Sequence, residues 1–516
     1  MPRSTLLLSA RAWPVSSWRG ACPKAPSPID IAPVDIAIVG AGMAGLFLAW
    51  RLSQSEKPAR IAVFESAGRV GGRASTVSFP GEPNFGIDLG AMMLMPQHRL
   101  LKKLMATLDV KLSGMDVVTG ANRLHLRGRS LPYAAISRFA PRRLFAYDVT
   151  RRLQEKGPSR LLRKAAALIL PGSEAFGSAE WNGAAGFVYR GRKLADWATW
   201  DVLATVLTPE EMAFAEDAVG YSLLLRRPNA AETFRLALGE LSGGRSYCSP
   251  DGGFQPVAER MAGRIAVSGG AVHLDHTVTA IARSAQGMVL SVEGQGGTVE
   301  ARKVVLALPV RPLRTLLEKS GIEQPSDLPA PEPWPMLTLA ACYASPWWAR
   351  NGIAAGHSVT DLPARQIWQF TKADARDATI RRSVAMAYCD GRHMVFWRSL
   401  LPELARRHGF AVLAEGHSAL EAFHGQMVEV HGKHGAISKP IGGFAQDWGA
   451  PAYGGASHVW DRGIDISGIK LASHTLAPGI HVCGEAWSNN HGWIEGALES
   501  AEDLLQREFG LDAWLA

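Results

Sequence analysis

Three glycines near the start of the chain have the spacing that a phosphate-binding turn requires. Gly40, Gly42 and Gly45 form a GxGxxG pattern directly after the apolar run 35–39, and residues 46–52 follow at helical spacing. The first glycine would make a tight turn, the second would let backbone approach a pyrophosphate, and the third would let the helix pack closely. The pattern predicts dinucleotide contacts at Gly40, Gly42, Met43, Ala44 and Gly45.

An acidic residue closes the second predicted strand of this unit. Glu65 follows the apolar run 61–64 and lies 20 residues beyond Gly45. A carboxylate at this place accepts hydrogen bonds from a ribose 2′-OH and disfavours an additional phosphate there. The alternative is a glycine turn that binds no ligand, but the strand, turn, helix and acid together are the context that the fingerprint needs.

Two further segments indicate a flavin rather than a nicotinamide. Arg69 and Arg73 flank a glycine pair that includes Gly72, so that backbone and guanidinium groups could close over a pyrophosphate. Near the C-terminus, Gly484 and Glu485 end a short strand, and the last helix opens soon afterwards. The N-terminus of that helix, beside the N1–C2=O edge of a flavin, would stabilise the reduced anionic ring. We expect its contacts at Gly492, Trp493, Ile494 and Ala497.

With these motifs the chain resembles the flavin amine oxidase family, which includes monoamine and polyamine oxidases and L-amino-acid oxidases. The resemblance covers about 34 to 505, and the stretches around 360 and 491 are most similar to the L-amino-acid oxidase branch. It rests on GAGMAG, ESAGRVGGR, DLGAMMLMPQHR, DGGFQP, VVLALP, TDLPARQIW and HVCGEAWSNNHGWIEGALES. It implies further FAD contacts at Ser66, Gly90, Ala91, Met92 and Val278.

The resemblance implies an α/β fold in two parts. A discontinuous, Rossmann-like FAD-binding domain of the GR2 type would comprise 34–110, 246–335 and 440–516. An α+β substrate domain with a helical insertion would comprise 111–245 and 336–439. Residues 1–33, in which Asp30 is the first acid, are interpreted as a disordered leader, with an organelle transit peptide as the alternative.

The resemblance also implies the reaction and the walls of the active site. Amine oxidation transfers a hydride from the amine-bearing carbon to flavin N5, the imine hydrolyses, and O₂ as acceptor gives H₂O₂. Two aromatic side chains facing the flavin exclude water and direct the nitrogen lone pair. By resemblance these walls are Trp368 and Trp493, and the alternative for each is ordinary core packing.

Two departures from the family concern catalytic positions. L-amino-acid oxidases carry an Arg at Met93 that binds the substrate carboxylate, which a methionine cannot do. Either Arg99 or Arg365 supplies that cation, or the substrate has no α-carboxylate. Many family members carry a Lys at Thr338 that holds a water at flavin N5, so the electron acceptor stays open.

These observations favour oxidative deamination of a bulky or aromatic L-amino acid or primary amine. The alternative is a flavin desaturase or dehydrogenase of a carbon–carbon bond with an acceptor other than O₂, and a third interpretation is a non-catalytic flavoprotein. The FAD is expected to be non-covalent, because Gly455 is followed by Ala456 where covalent relatives carry a cysteine.

Composition excludes several other classes. The chain has 516 residues, 55 basic and 47 acidic, and a net charge of +8 is too mild to indicate a nucleic-acid partner. Its five cysteines include no CxxC pair, which argues against a metal site and favours a reducing, cytoplasmic compartment. No apolar run approaches the roughly 18 residues of a membrane helix. A homodimer is left open.

Overall fold

The computed structural model describes the chain with short gaps. The described ranges are 31–55, 59–115, 119–136, 144–226, 228–240, 247–293, 297–325, 331–353, 355–373, 381–432, 437–464 and 475–515. The leader predicted at 1–33 therefore lies almost wholly outside the described residues.

Strands in these ranges form two large sheets and four two-stranded sheets. Their bounds are β1 Val34–Val39, β2 Ile61–Phe64, β3 Thr76–Phe79, β4 Glu82–Asp88, β5 Leu112–Met115, β6 Arg123–Leu126, β7 Arg129–Pro132, β8 Val188–Tyr189, β9 Arg192–Lys193, β10 Tyr247–Pro250, β11 Ala271–His273, β12 Thr277–Ser284, β13 Gly287–Glu293, β14 Gly297–Leu306, β15 Glu332–Trp334, β16 Met336–Tyr343, β17 Gly356–Thr360, β18 Gln366–Ala373, β19 Arg381–Asp390, β20 Phe410–Ala414, β21 Gly442–Asp447, β22 Ser457–Val459, β23 Thr475–Ala477 and β24 Ile480–Val482.

Helices cover the sheets and form most of the segment between β7 and β10. Their bounds are α1 Met43–Ser53, α2 Arg99–Thr107, α3 Tyr133–Ile136, α4 Arg151–Ile169, α5 Ser178–Asn182, α6 Thr199–Ala204, α7 Pro209–Val219, α8 Leu223–Arg226, α9 Ala230–Phe234, α10 Gln255–Val267, α11 Val310–Ser320, α12 His393–Leu400, α13 Glu403–His408, α14 Ser418–His431 and α15 Ile494–Phe509. A π-helical turn, Arg235–Glu240, follows α9. No described helix has both the length and the apolar character needed to cross a membrane.

The first sheet is the predicted Rossmann-like unit. Its order is β11-β2-β1-β14-β13-β12, and β24 joins β14. Strands β11, β2, β1, β14 and β24 pair in parallel, with Val39 opposite Phe64 and Leu306. Strands buried on both faces are apolar throughout, as the runs at 35–39 and 61–64 predict. Helices α1, α10 and α15 pack together in one apolar core over this sheet.

The second sheet has the order β20-β21-β16-β19-β18-β17-β6-β7. Because side chains alternate along a strand, each strand presents one face to each side. Leu337 and Leu339 of β16 face a core that includes Phe423 and Met427 of α14. Ala340 and Cys342, on the opposite face, belong to the apolar cluster that contains Trp368.

One expected boundary needs correction. The FAD-binding domain was expected to resume at 440, but β21, Gly442–Asp447, lies inside the second sheet between β20 and β16. The run 442–447 is buried throughout, so it could have suited either sheet. Only the pairing with two strands of the second sheet assigns it to the substrate domain.

Candidate active site

The glycine turn has the geometry that its spacing predicts. Gly40 has φ +105°, and a Cβ there would lie 2.5 Å from the carbonyl oxygen of Ala307. A Cβ on Gly45 would lie 2.1 Å from the Gly40 oxygen, so the helix packs too closely for a side chain. At Gly42, by contrast, a Cβ would meet nothing within 4 Å. The backbone is therefore tight on its inner side and open at Gly42.

The N-terminus of α1 faces this opening. Gly42 is its N-cap residue and supplies no side-chain cap, and the first turn, with Met43 and Ala44, contains no acid. The first N–H groups of a helix have no intrahelical acceptor, and such donors favour an anion. The turn and the helix end therefore fit a dinucleotide pyrophosphate.

Glu65 lies at the carboxyl end of β2 and is held by its own loop. Its carboxylate accepts the N–H of Ala41 at 2.8 Å and of Ala67 at 2.9 Å, and the Ser66 hydroxyl at 3.4 Å. A carboxylate has about four acceptor positions, so some are left for a ribose hydroxyl. The Glu65 carbonyl accepts the N–H of His276, which brings Val278 of β12 to the same end of the sheet.

The two arginines of the glycine-pair loop bind protein groups. The Arg69 guanidinium donates to the carbonyls of Val70 and Gly72, the latter at 2.8 Å. The Arg73 guanidinium donates to the Glu485 carboxylate at 2.9 Å and to the Ala456 carbonyl at 3.1 Å. Arg69 thus shapes the loop, and Arg73 ties it to the C-terminal segment. The pyrophosphate contacts expected of these arginines stay a prediction.

The Glu485 carboxylate connects several groups in the C-terminal half of the site through hydrogen bonds. It is buried and accepts hydrogen bonds from Gly492 N at 2.6 Å, Ser457 Oγ at 3.1 Å and His458 Nδ1 at 2.8 Å, besides Arg73. Burial alone would raise the pKa of the Glu485 carboxyl, but Arg73 and His458 hold it well below its ordinary value. Ser457 was not among the predicted site residues, because β22 meets this turn only in the tertiary structure.

The start of α15 is fixed by contacts on both sides. Gly492 has φ +81°, Trp493 is the N-cap residue and supplies no side-chain cap, and Ile494 and Ala497 in the first turn are buried. The Glu495 carboxylate accepts the N–H groups of Leu100 and Leu101, at 2.9 and 2.8 Å, and so caps α2. Glu495 was also missed, although an acid in the first turn of a helix is a signal that could have been followed.

An apolar cluster, which we call the site cluster, brings the predicted catalytic positions together. Trp368, Met93 and Trp493 all belong to it, although they come from three distant parts of the chain. That the two indoles face the flavin stays a prediction. Its members are Val77, Phe79, Phe85, Ile87, Leu89, Met92, Met93, Met95, Met115, Tyr247, Ala340, Cys342, Trp368, Phe370, Val384, Met386, Tyr388, Phe410, Phe444 and Trp493.

The segment before α2 supplies both Met93 and a partner for Trp493. A Cβ on Gly90 would lie 2.0 Å from the Arg73 oxygen, and the Ala91 N–H donates to that oxygen. These contacts fix the turn that presents Met92 and Met93. The His98 imidazole meets the Trp493 indole edge to face, with centroids 4.8 Å apart. Burial lowers the pKa of His98 to about 4, so the ring is neutral at pH 7.

Thr338 occupies a polar row across the otherwise apolar sheet face. It pairs with Tyr388 on one side and Gln446 on the other, and Tyr388 pairs with Gln366. The Thr338 hydroxyl is fully buried, and within the described residues it has no hydrogen-bond partner. An unpaired buried hydroxyl costs about 1–3 kcal/mol, so a bound group or water that completes it is favoured.

Of the two arginines considered for a substrate carboxylate, one is bound to protein groups and the other is exposed. Arg365 is fully buried and donates to the carbonyls of Glu216 at 2.7 Å and Thr360 at 3.1 Å. Arg99 is exposed at the start of α2. Two described cations act on the site cluster. Burial raises the pKa of Tyr388 to about 12 and Arg73 opposes that rise, and the exposed Lys372 has its Nζ 5.8 Å from the centroid of the Phe85 ring. Arg73 is already paired with Glu485.

Comparison with known proteins shows the family of the chain. The family model described as flavin-containing amine oxidoreductase matches residues 43–503. Aplysianin-A from Aplysia kurodai is 25% identical, over 92% of this chain and 89% of its own length. Achacin from Lissachatina fulica is 22% identical, over 94% of both chains.

Solved structures show the same fold. A cyclohexylamine oxidase from Brevibacterium oxydans superposes with a TM-score of 0.66 at 18% identity, over 93% of this chain and 100% of that one. A putrescine oxidase bound to putrescine superposes with a TM-score of 0.65 at 17% identity, over 93% and 99%. At these identities the similarity shows the fold alone.

Proposed function

This chain belongs to the flavin-containing amine oxidoreductases, and from that membership we propose that it oxidatively deaminates bulky primary amines that carry no carboxylate. The observation that carries the proposal is the site cluster, in which Met93 lies with the indoles of Trp368 and Trp493. As a member of the family the protein is an FAD-dependent oxidoreductase of CH–NH₂ donors.

The residues of the site cluster would prepare the amine. When bound, FAD accepts a hydride from the amine-bearing carbon. The faces of Trp368 and Trp493 exclude water, and an apolar environment favours the neutral amine over the ammonium ion, because a buried charge without a partner is costly. The neutral amine keeps the lone pair that hydride loss requires. No strong base is needed, which agrees with a neutral His98.

A substrate carboxylate would be poorly accommodated. It would be buried among thioether and indole groups, and the guanidinium of Arg73 would have to leave Glu485 to neutralise it. Breaking a buried ion pair by removing one partner costs about 3–5 kcal/mol. This cost favours amines over the corresponding L-amino acids.

The identity of the electron acceptor depends on Thr338. A neutral hydroxyl replaces the ammonium group that a lysine would supply, so reoxidation by O₂ is expected to be slow. The same observation favours a second candidate, a dehydrogenase of a carbon–carbon bond with an acceptor other than O₂. That candidate predicts that no amine bleaches the bound flavin. In a slow amine oxidase, by contrast, the amine substrate bleaches the flavin in the absence of O₂.

The deciding experiment uses matched substrate pairs under anaerobic conditions. Phenethylamine and L-phenylalanine differ only in the carboxylate, and bleaching of the flavin absorbance near 450 nm reports reduction without any acceptor. We expect phenethylamine to reduce the flavin at least 100-fold faster than L-phenylalanine at equal concentration, which corresponds to about 3 kcal/mol. Equal rates would refute the carboxylate-free assignment, and bleaching by neither would refute amine oxidation.

A further inference from the structure

A cavity of about 900 Å³ lies beside the site cluster. Its lining includes strands β5, β6, β10 and β17 and the first half of α4. Met115 and Tyr247 line the cavity and are also members of the site cluster. A cavity of this size is in the range that holds a small organic ligand.

Strand register places the cavity next to the Trp368 wall. His357 of β17 is the cross-strand partner of Trp368, and their rings stack with centroids 4.3 Å apart and planes 23° apart. Val359 of β17 is likewise the partner of Gln366. Cross-strand partners share a face of the sheet. His357 and Val359 line the cavity. The cavity therefore lies on the same face of the sheet as Trp368, beside the neighbouring strand β17.

The cavity runs from this buried end to the surface at α4. Tyr247 is only 7% exposed, whereas Lys156 and Ser159, which also line the cavity, are exposed. Between them the helix is broken at Gly157, which has φ 71° and ψ −175°, and is followed by Pro158. Gly157 and Pro158 themselves line the cavity, so the helix break lies in its wall.

The polar side chains of the lining are largely committed elsewhere. The Gln154 amide oxygen accepts the N–H of Phe145 at 2.8 Å, and its nitrogen donates to the carbonyl of Val149 at 2.9 Å. The Glu155 carboxylate is paired with Arg151. The cavity therefore offers no unpaired acid to a second ammonium group. Two further polar side chains, Lys156 and Ser159, lie at its exposed end, and the rest of the lining is mainly aliphatic and aromatic.

We infer that this cavity binds the tail of the substrate, an uncharged apolar extension that continues from the amine-bearing part past Trp368 and His357. The inference rests on the proposed amine oxidation and names the substrate class within it: arylalkyl amines with a long apolar substituent. Each methylene that the cavity buries contributes about 0.8 kcal/mol, or about fourfold in kcat/KM.

The test lengthens one substrate. A series of 4-alkyl phenethylamines, from methyl to octyl, is compared with phenethylamine by anaerobic flavin reduction on the holoenzyme. We expect kcat/KM to rise about two- to fourfold for each added methylene over the first carbons and then to level off as the tail reaches solvent at α4. The corresponding 4-alkyl phenols serve as non-reacting probes, whose binding is followed by the change in tryptophan fluorescence.

A pair of variants on α4 separates the cavity from the helix. Ser159 and Arg160 are neighbours and both are exposed, but only Ser159 lines the cavity. We expect Ser159→Trp to abolish the gain from the octyl tail, at least tenfold, with phenethylamine turnover within twofold of wild type. Arg160→Trp, the matched control, should retain the full dependence on tail length.

The outcomes also separate this inference from the proposed function. A wild-type rate that does not depend on tail length, or equal effects of the two variants, would overturn the tail site and leave amine oxidation intact. If no amine bleaches the flavin but phenol binding strengthens with tail length and Ser159→Trp abolishes that gain, the cavity binds apolar tails and the proposed reaction is wrong.

Discussion

At the scale of single residues, the proposed preference for amines without a carboxylate depends on Met93. The turn 89–93 is fixed by the contact of Gly90 with the backbone of Arg73, so a longer side chain at Met93 would still be presented to the site cluster. A guanidinium there could bind a carboxylate as a bidentate pair, which an unbranched thioether cannot.

Met93→Arg should therefore shift the substrate preference from amines towards L-amino acids. We expect the ratio of kcat/KM for L-phenylalanine to that for phenethylamine to rise about 100-fold, because a buried charge pair of this kind contributes about 2–5 kcal/mol. Anaerobic flavin reduction measures both rates. Met93→Leu is the control and should leave the ratio within threefold. An unchanged ratio in Met93→Arg would show that the carboxylate does not reach this position.

His98 predicts a pH dependence of stability. Its folded-state pKa of about 4 lies below the ordinary value of 6.5, so the unfolded chain binds the proton more tightly. The contribution of His98 to the free energy of unfolding is therefore fully present above pH 6.5. It is lost as the pH drops towards 4, which lowers the free energy of unfolding by up to about 3 kcal/mol. Protonation would also take away the acceptor of the Met95 N–H, which Nδ1 of His98 provides.

Urea unfolding at pH 7.0 and pH 4.5 measures this contribution. His98→Asn keeps a side-chain acceptor and removes the titration, so the difference between the two pH values should be smaller in the variant by about 2 kcal/mol. If wild type and variant lose the same stability, His98 is not buried as a neutral ring.

At the scale of elements, the site depends on how helix ends are satisfied. The N-termini of α1 and α15 carry no side-chain cap, which leaves their N–H groups for a ligand. Helix α2 is the contrasting case, because its N-cap residue His98 supplies no cap and Glu495 of α15 does so from a distance of 395 residues along the chain. This contact holds Trp493 next to His98.

Glu495→Ala should destabilise the protein by about 2 kcal/mol, because two buried N–H groups of α2 lose their acceptor. Thermal and urea unfolding of the holoprotein measure the change. Glu508→Ala, near the opposite end of α15 with a side chain 37% exposed, is the control and should cost less than 0.5 kcal/mol. Equal costs would mean that the Glu495 contact adds no stability.

At the scale of the whole molecule, the cofactor site is assembled from distant segments. Arg73 and Glu485 join the loop after β2 to the turn before α15, while Ser457 and His458, which precede Glu485 by 28 and 27 residues in sequence, bring in β22. A ligand that spans these segments binds only the folded chain and so stabilises it by mass action.

Bound FAD should therefore raise the free energy of unfolding, and it should dissociate when the protein unfolds. Cys483 is fully buried in the core over the first sheet, and burial raises the pKa of its thiol to about 12, so a reactive thiolate is disfavoured there. We expect acid precipitation to release all the yellow colour to the supernatant. FAD at 100 times its dissociation constant should add about 2.7 kcal/mol to the free energy of unfolding. Colour in the pellet would indicate a covalent link.

The sequence alone determined the features that depend on neighbours along the chain. The turn at Gly40–Gly45, the strands on either side of it and the acid at Glu65 are local, because each residue type is required by the backbone conformation at its own position. The dinucleotide turn could therefore be predicted from these local motifs, and together with the other motifs along the chain they predicted the family, its fold and its cofactor. The placement of Trp368 and Trp493 as walls facing the flavin came from the resemblance and stays a prediction.

Only the tertiary structure decided which distant groups meet. Ser457 and His458 at Glu485, Glu495 at the start of α2, and the pairing of β21 with the second sheet all join residues whose own segments give no sign of a partner. The same holds for Arg365, which lies near Trp368 in sequence but whose buried guanidinium donates to the carbonyls of Glu216 and Thr360. Long-range contacts depend on the packing of whole elements, and a local pattern does not record them.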